Sequence, residues 1–304
     1  MQRKYKFSEK RLVPTDEADA PYIIYVNPEE SEKRYLIDTL KFDEHTLHSA
    51  LDPDELSRLE FEPEHIAIIF KRPKNYSVKD QFLFKVSSVG AFLFKDKLIV
   101  VLTEDLPLFD PLVFQRPPSP GFLMLKLIYR SIFHYLEHLK VISTISDELQ
   151  FKINRAMENR HLINLFALQK SLVYYLNSIN ANGVLIEKLK LNAGKMGFDT
   201  TDIELVDDTL IENNQCYRQA EIYSNILASL MDARASIVSN NINVLMKTLN
   251  IITIAIMVPT FVVSAFSMNV AMPLQKHPLA FYIILGMAVL SVLSFIAFWR
   301  FKKW

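Results

Sequence analysis

This chain has little with which to cross-link itself, turn tightly or attract a polyanion. It has one cysteine, Cys216, in 304 residues. That excludes an internal disulfide framework and a cysteine-rich metal site, and it suits a reducing compartment. Glycine is scarce, at six residues, and no phosphate-cradling loop is present. The nearest candidate, Gly194-Lys195-Met196-Gly197, lacks the P-loop spacing and the hydroxyl residue that should follow its lysine. Neither sign of charge is in excess, since 34 Lys and Arg balance 34 Asp and Glu; a nucleic-acid partner is not suggested. There is no nucleophile–base pair and no fingerprint of an organic cofactor, so an enzyme has no support.

What the chain does have is two long apolar runs near its C-terminal end. The first extends from Thr248 to Phe266 and the second from Leu279 to Trp299. Neither contains a charge, and each is long enough to cross a hydrocarbon core of about 30 Å as a helix. The competing reading is a buried hairpin of a large soluble core, and uncharged runs of this length are rare there. Their position excludes a signal peptide. Trp299 and Trp304 stand where amphipathic rings prefer the interface, and Arg300, Lys302 and Lys303 put the tail in the cytoplasm by the positive-inside rule. A hairpin then places the N-terminal part there as well.

The first span carries its polar groups in one row. Asn243, Met246, Asn250, Thr253, Met257, Thr260, Ser264 and Ser267 follow one another in alternating steps of 3 and 4. That spacing holds one helix face, and a sustained 3.5 period favours a symmetric bundle. Amide, hydroxyl and thioether groups are poorly placed against lipid. The row therefore lines either a water-filled pore, which needs several copies of the chain around an axis, or a Ser/Thr packing seam between helices. The second span has no such row. Its hydroxyls are Tyr282, Ser291 and Ser294, and it reads as an outer, lipid-facing helix.

About 240 residues precede the spans, enough for a soluble domain and long helices. Tyr22–Val26, Ile66–Phe70, Phe82–Phe94 and Leu98–Leu102 are rich in β-branched and aromatic residues and predict strands, with a tight turn at Lys95-Asp96-Lys97. Short helices are predicted at Asp43–Leu51 and Pro53–Leu59, the second capped by Asp52. Pro117 to Gly121 marks a boundary. Beyond it, helices are predicted at Phe122–Asn154 and Asn159–Lys190. A third begins near Asp202 and meets no Gly or Pro before Pro259. The fold class is an α+β/α membrane protein. Its parts are an α/β domain over 1–120, a long-helix stalk over 121–247, and a transmembrane hairpin over 248–304. Within the hairpin, the first span covers about 246–266, the outer loop 267–278 and the second span 279–299.

His134 and His138 stand four apart with Glu137 between them, a spacing that suits a metal pair on one helix face. No HExxH pattern or further ligand accompanies them, which favours a surface or interface pair. Asp207, Asp208, Glu212 and Glu221 make the start of the third helix acidic. Such a run is a solvated face, or beside a cation pore a means of raising local cation concentration.

Met231-Asp232-Ala233, the run Ser239 to Leu249, Pro259-Thr260 and Ser267-Met268-Asn269, in this order and topology, resemble the CorA family of divalent-cation channels. The resemblance implies a homopentamer in the cell (inner) membrane with both termini cytoplasmic, carrying Mg²⁺ or a related ion such as Co²⁺, Ni²⁺ or Zn²⁺. It implies that first spans line the pore, with Asn243, Met246 and Thr260 at pore-facing positions on the row above. Ser267, Met268 and Asn269 would form the filter, and Met246 and Leu249 apolar constrictions that gate by dewetting. A ring of Asn269 amide oxygens would hold a hydrated Mg²⁺ without stripping its shell. Two departures stand out. The family signature has glycine where this chain has Ser267, and the loop Val270 to Pro278 has no carboxylate but carries Lys276 and His277. Asp232 matches one position of a regulatory inter-subunit metal site, while no partner carboxylate lies at Arg72 to Asn75. The alternative is a non-conducting, membrane-anchored structural or sensory oligomer of the same fold.

Overall fold

The structure is a computed structural model that describes residues 1–76, 82–110, 112–155, 159–268 and 277–302. The chain divides into two compact units, Met1–Met231 and Asp232–Trp304.

The first unit is a three-layer sandwich around a seven-stranded sheet. Its strands are β1 (Gln2–Ser8), β2 (Arg11–Pro14), β3 (Tyr22–Val26), β4 (Arg58–Phe61), β5 (Ile66–Pro73), β6 (Val86–Leu93) and β7 (Leu98–Leu102). They lie in the order β2-β1-β3-β7-β6-β5-β4. The β3–β7 pair is parallel, Tyr22 opposite Leu98 through Val26 opposite Leu102. The other neighbours are antiparallel.

β3 and β7 read as unbroken apolar runs because both faces are buried. Successive residues feed different cores. Ile23, Tyr25, Ile99 and Val101 pack with Leu36, Phe42, Leu47 and Ala50. These come from α1 (Glu30–Arg34), the π-turn that continues it (Tyr35–Thr39), the loop after it and α2 (Glu44–Leu51). Tyr22, Ile24, Val26, Val100 and Leu102 face the long helices. Gly90 lets α2 approach the sheet, since a Cβ there would stand 2.5 Å from that of Ala50.

The long helices are α3 (Pro120–Arg155), α4 (Asn159–Leu191), the single turn α5 (Ala193–Met196) and α6 (Thr200–Phe266). Ser119 caps α3, its Oγ accepting from the Phe122 N–H at 3.0 Å. Pro120 and Gly121 therefore occupy the first turn, where proline costs no hydrogen bond. α6 begins with a reciprocal cap: Asp199 accepts from the Asp202 N–H at 2.8 Å, and Asp202 from the Asp199 N–H at 3.1 Å. α4 docks on β5 through Asn182, whose amide accepts from the Lys71 N–H and donates to its carbonyl, each at 2.8 Å. The side chain replaces a missing strand partner.

Two expectations fail here. Pro53–Leu59 is not a helix. Lys71 Nζ, buried in the sheet, takes the Pro53 carbonyl at 2.8 Å, the Asp52 carboxylate holds the Asp54 N–H in a turn, and Arg58–Phe61 pairs with β5. The run Phe82–Phe94 is a strand only from Val86. Phe82 has φ 66°, and the Phe84 N–H donates to Ser171 Oγ on α4 at 2.9 Å instead of joining the ladder.

Candidate functional site

The second unit consists of the α6 segment from Asp232 onward and α7 (Ala280–Lys302). Both helices are long and apolar enough to cross a membrane. Pro259 lies inside α6 without ending it; the helix continues to Phe266 with one backbone donor missing.

The two helices cover each other along one face each. On α6 the half-buried positions are Ile251, Ala255, Val258, Pro259, Val262 and Ala265; on α7 they are Ile283, Ile284, Met287, Ser291, Val292 and Phe295, with Ala288 buried among them. Ile251, Ile254 and Phe295 border a common groove of about 510 Å³. The sequence-predicted row lies elsewhere. Asn243, Met246, Leu249, Asn250, Thr253, Met257, Thr260 and Ser264 are all exposed. At about 100° per residue its centre is roughly 150° around α6 from the α7-facing side. The hairpin thus turns its polar row outward, with no cover from α7 over most of its length. At the Asp232 end, Asn243, Met246 and Asn250 also border the groove beside Phe298 and Trp299.

The threonines of the row are already committed as donors. Thr253 Oγ1 donates to the Leu249 carbonyl at 2.9 Å and Thr260 Oγ1 to the Ile256 carbonyl at 2.6 Å. What each has left is acceptor lone pairs. Two outward hydroxyls left as acceptors match the water hydrogens around a hydrated cation. Sequence reasoning found the row but not this polarity. The available signal was the position of each hydroxyl in a helix interior, one turn after an apolar residue.

At the end of α6, Ser267 is exposed, and both its N–H and its Oγ engage the Ser264 carbonyl, at 3.1 and 2.9 Å. It is not among the residues with positive φ, so the backbone here makes no demand for glycine. Met268 is exposed. Asn269 and the loop through Lys276 lie outside the described residues. In the turn before α7, His277 Nδ1 accepts from the Leu279 N–H at 3.2 Å.

Asp232 is exposed on α6. Among the described residues no group of three or more His, Cys, Asp or Glu is placed to hold a metal ion. The His134–His138 pair is a correction. His138 is buried in the first unit, and His134 is half-buried beside it, lining a cavity, so the pair is not a surface pair. His138 is 8 % exposed and shares a 2.6 Å hydrogen bond with the Tyr175 hydroxyl. Burial pushes its pKa down to about 4. Burial, with His138 and two arginines nearby, takes His134 to about 3. Asp207 pairs with Lys190 at 2.8 Å, and Asp208 and Glu221 are exposed to solvent.

A family model described as "CorA-like Mg2+ transporter protein" matches residues 17–303. The chain belongs to that family. CorA-like proteins are transporters of divalent cations rather than enzymes, and two apolar helices at one end fit a membrane protein. A curated relative, the cobalt/magnesium transport protein CorA of Methanocaldococcus jannaschii, is 24% identical over 276 residues, 85% of this chain and 83% of that one. The complete structure of the CorA magnesium transporter from the same organism superposes with a TM-score of 0.83 at 22% identity, covering 98% of this chain and 96% of the other. Full-length CmaX gives a TM-score of 0.74 at 14% identity, covering 97% and 94%. The CorA arrangement of an α/β part, a long helix and two C-terminal apolar helices is therefore the fold of this chain.

Proposed function

We propose that this chain is a CorA-type channel for passive transport of Mg²⁺ or a related divalent ion such as Co²⁺, Ni²⁺ or Zn²⁺. It works as a homopentamer in the cell (inner) membrane, both termini cytoplasmic, with five first spans around the ion path. The domain limits are those read from the sequence: 1–120, 121–247 and 248–304. The observation that carries this reading is the exposed polar row on α6, with Thr253 and Thr260 left as acceptors, roughly opposite the face that α7 covers. A helix used only as an anchor has no need of such a face.

Ser267, Met268 and Asn269 form the filter, and the Asn269 amide oxygens hydrogen-bond the water shell of an ion that dehydrates reluctantly. Asn243, Asn250, Thr253, Met257, Thr260 and Ser264 continue the path. Met246 and Leu249, 54% and 57% exposed in the single chain, are the apolar constriction. Asp232 would hold a regulatory cation only with ligands from a second copy.

The absence of carboxylates from Val270 to Pro278 favours the second reading, a non-conducting oligomer. Uptake into liposomes by the purified protein separates the two. The channel admits Mg²⁺ or Co²⁺ down its gradient, and Asn269→Ala loses most of that flux while assembling normally. No uptake of any divalent ion leaves the non-conducting oligomer, and full flux in Asn269→Ala removes the filter assignment.

A further inference from the structure

The first unit contains a polar cavity that transport does not use. Arg72, on β5, lines a cavity of about 320 Å³ against α3. Its Nη1 is buried and meets no hydrogen-bond partner among the described residues, and its Nη2 lies 3.4 Å from His134 Nδ1. A guanidinium only donates, so His134 Nδ1 is the acceptor and the ring, with its depressed pKa, is neutral. A buried charged donor without an acceptor is costly, and natural structures rarely keep one idle.

The second cation on the cavity is Arg130, one helical turn before His134. Its Nη1 donates to the Leu108 carbonyl at 2.6 Å; the rest of its fork has no acceptor among the interactions of the described residues. The carboxylates nearby do not neutralise the pair. Glu104, the acid that acts most on Arg72, is bound to Lys74 Nζ at 2.7 Å. Glu137 is the one carboxylate among the described residues lining the cavity. Asp110, outside the lining, and Glu137 both act on Arg130, but neither forms an ion pair with it among the described residues; the lining itself holds two guanidinium groups and one carboxylate.

The same face of α3 continues through Lys126, one turn before Arg130, into an adjoining cavity of about 870 Å³ that Arg116, Lys126 and Arg130 share with Phe122 and Tyr129. The acids there, Asp199 and Asp202, are engaged in the cap of α6. Planar forks suit tetrahedral oxyanions.

We propose that Arg72 and Arg130 form a binding site for a phosphate group, either free inorganic phosphate or the phosphate of a larger molecule whose body reaches the adjoining cavity. The site is independent of the ion path and stands or falls separately from it.

The test is isothermal titration of the detergent-solubilised full chain with inorganic phosphate and with adenosine monophosphate, at fixed ionic strength in chloride. Saturable binding of phosphate is expected. Arg72→Gln, its folding checked by its unfolding midpoint, weakens it by about tenfold or more, the scale of a lost charge-assisted fork. Glu137→Gln, an exposed position with little risk to folding, tightens it about threefold by removing the one repelling carboxylate. Tighter binding of the monophosphate, lost in Arg116→Gln, identifies the larger ligand; equal binding identifies the free anion. No saturable phosphate binding, or affinity unchanged in Arg72→Gln, overturns the proposal. Should Arg72→Gln fail to fold, unchanged affinity in Glu137→Gln overturns it instead.

Discussion

His138 shows how far a single residue can depart from what its neighbours in sequence suggest. Its four-residue spacing from His134 is legible in the chain, but its partner is the Tyr175 hydroxyl, 37 positions away. Burial therefore decides its chemistry, and burial depends on how α3 and α4 pack on the sheet. The consequence is a defined pH dependence. Both rings have folded pKa values, about 3 for His134 and about 4 for His138, below the ordinary 6.5. Below pH 6.5 the unfolded chain takes up protons that the folded chain refuses. Their contribution to stability is thus fully present above about pH 6.5 and declines as pH falls towards 4. Thermal unfolding of the detergent-solubilised protein across that window should show the decline, and His134→Gln with His138→Gln should flatten it. An equal slope in both proteins would mean that the two rings are not the groups responsible. The turn at Glu9-Lys10 was illegible for a related reason. Its two residues have φ of 50° and 64°, a left-handed pair normally signalled by Asn or Gly, so β1 and β2 went unread.

Elements were legible where one physical cause dominates. β3 and β7 are buried on both faces and announce themselves as unbroken apolar runs. The row on α6 follows from side-chain spacing alone. What spacing could not supply was the side of α6 that α7 would cover, because α7 has no polar face of its own to orient it. Long-range side-chain bonds were equally hidden: Lys71 to Pro53 and Phe84 to Ser171 undid a predicted helix and shortened a predicted strand. The contact between α4 and α6 within the first unit is also of this kind. Asn213, 2 % exposed, donates to the Ile179 carbonyl at 3.1 Å, and a Cβ on Gly183 would stand 2.9 Å from its amide nitrogen. Gly183→Ala should therefore destabilise the fold by about 1–3 kcal/mol, the usual cost of overpacking. The denaturant midpoint measures it, and an unchanged midpoint would show that the two helices can spread without penalty.

For the whole molecule, a chain read alone shows which surface lacks a partner but not how many copies supply one. The exposed row on α6 is such a surface, and the proposed assembly is a pentamer. Native mass spectrometry in mild detergent should give five copies; a dimer or tetramer would contradict the arrangement around one axis. The central claim is narrower, that the row faces the ion path. The chain is suited to test it, because its one cysteine, Cys216, is buried with its thiol pKa pushed up to about 12 and is a poor target for thiol reagents. Cysteine can then be placed on the row, as Thr253→Cys or Thr260→Cys, and off it, as Ile252→Cys or Val263→Cys. Mg²⁺ influx into liposomes is followed before and after a cationic methanethiosulfonate reagent. The account predicts that influx stops in the row variants and is unchanged in the others; equal inhibition at all four positions, or none on the row, would contradict it.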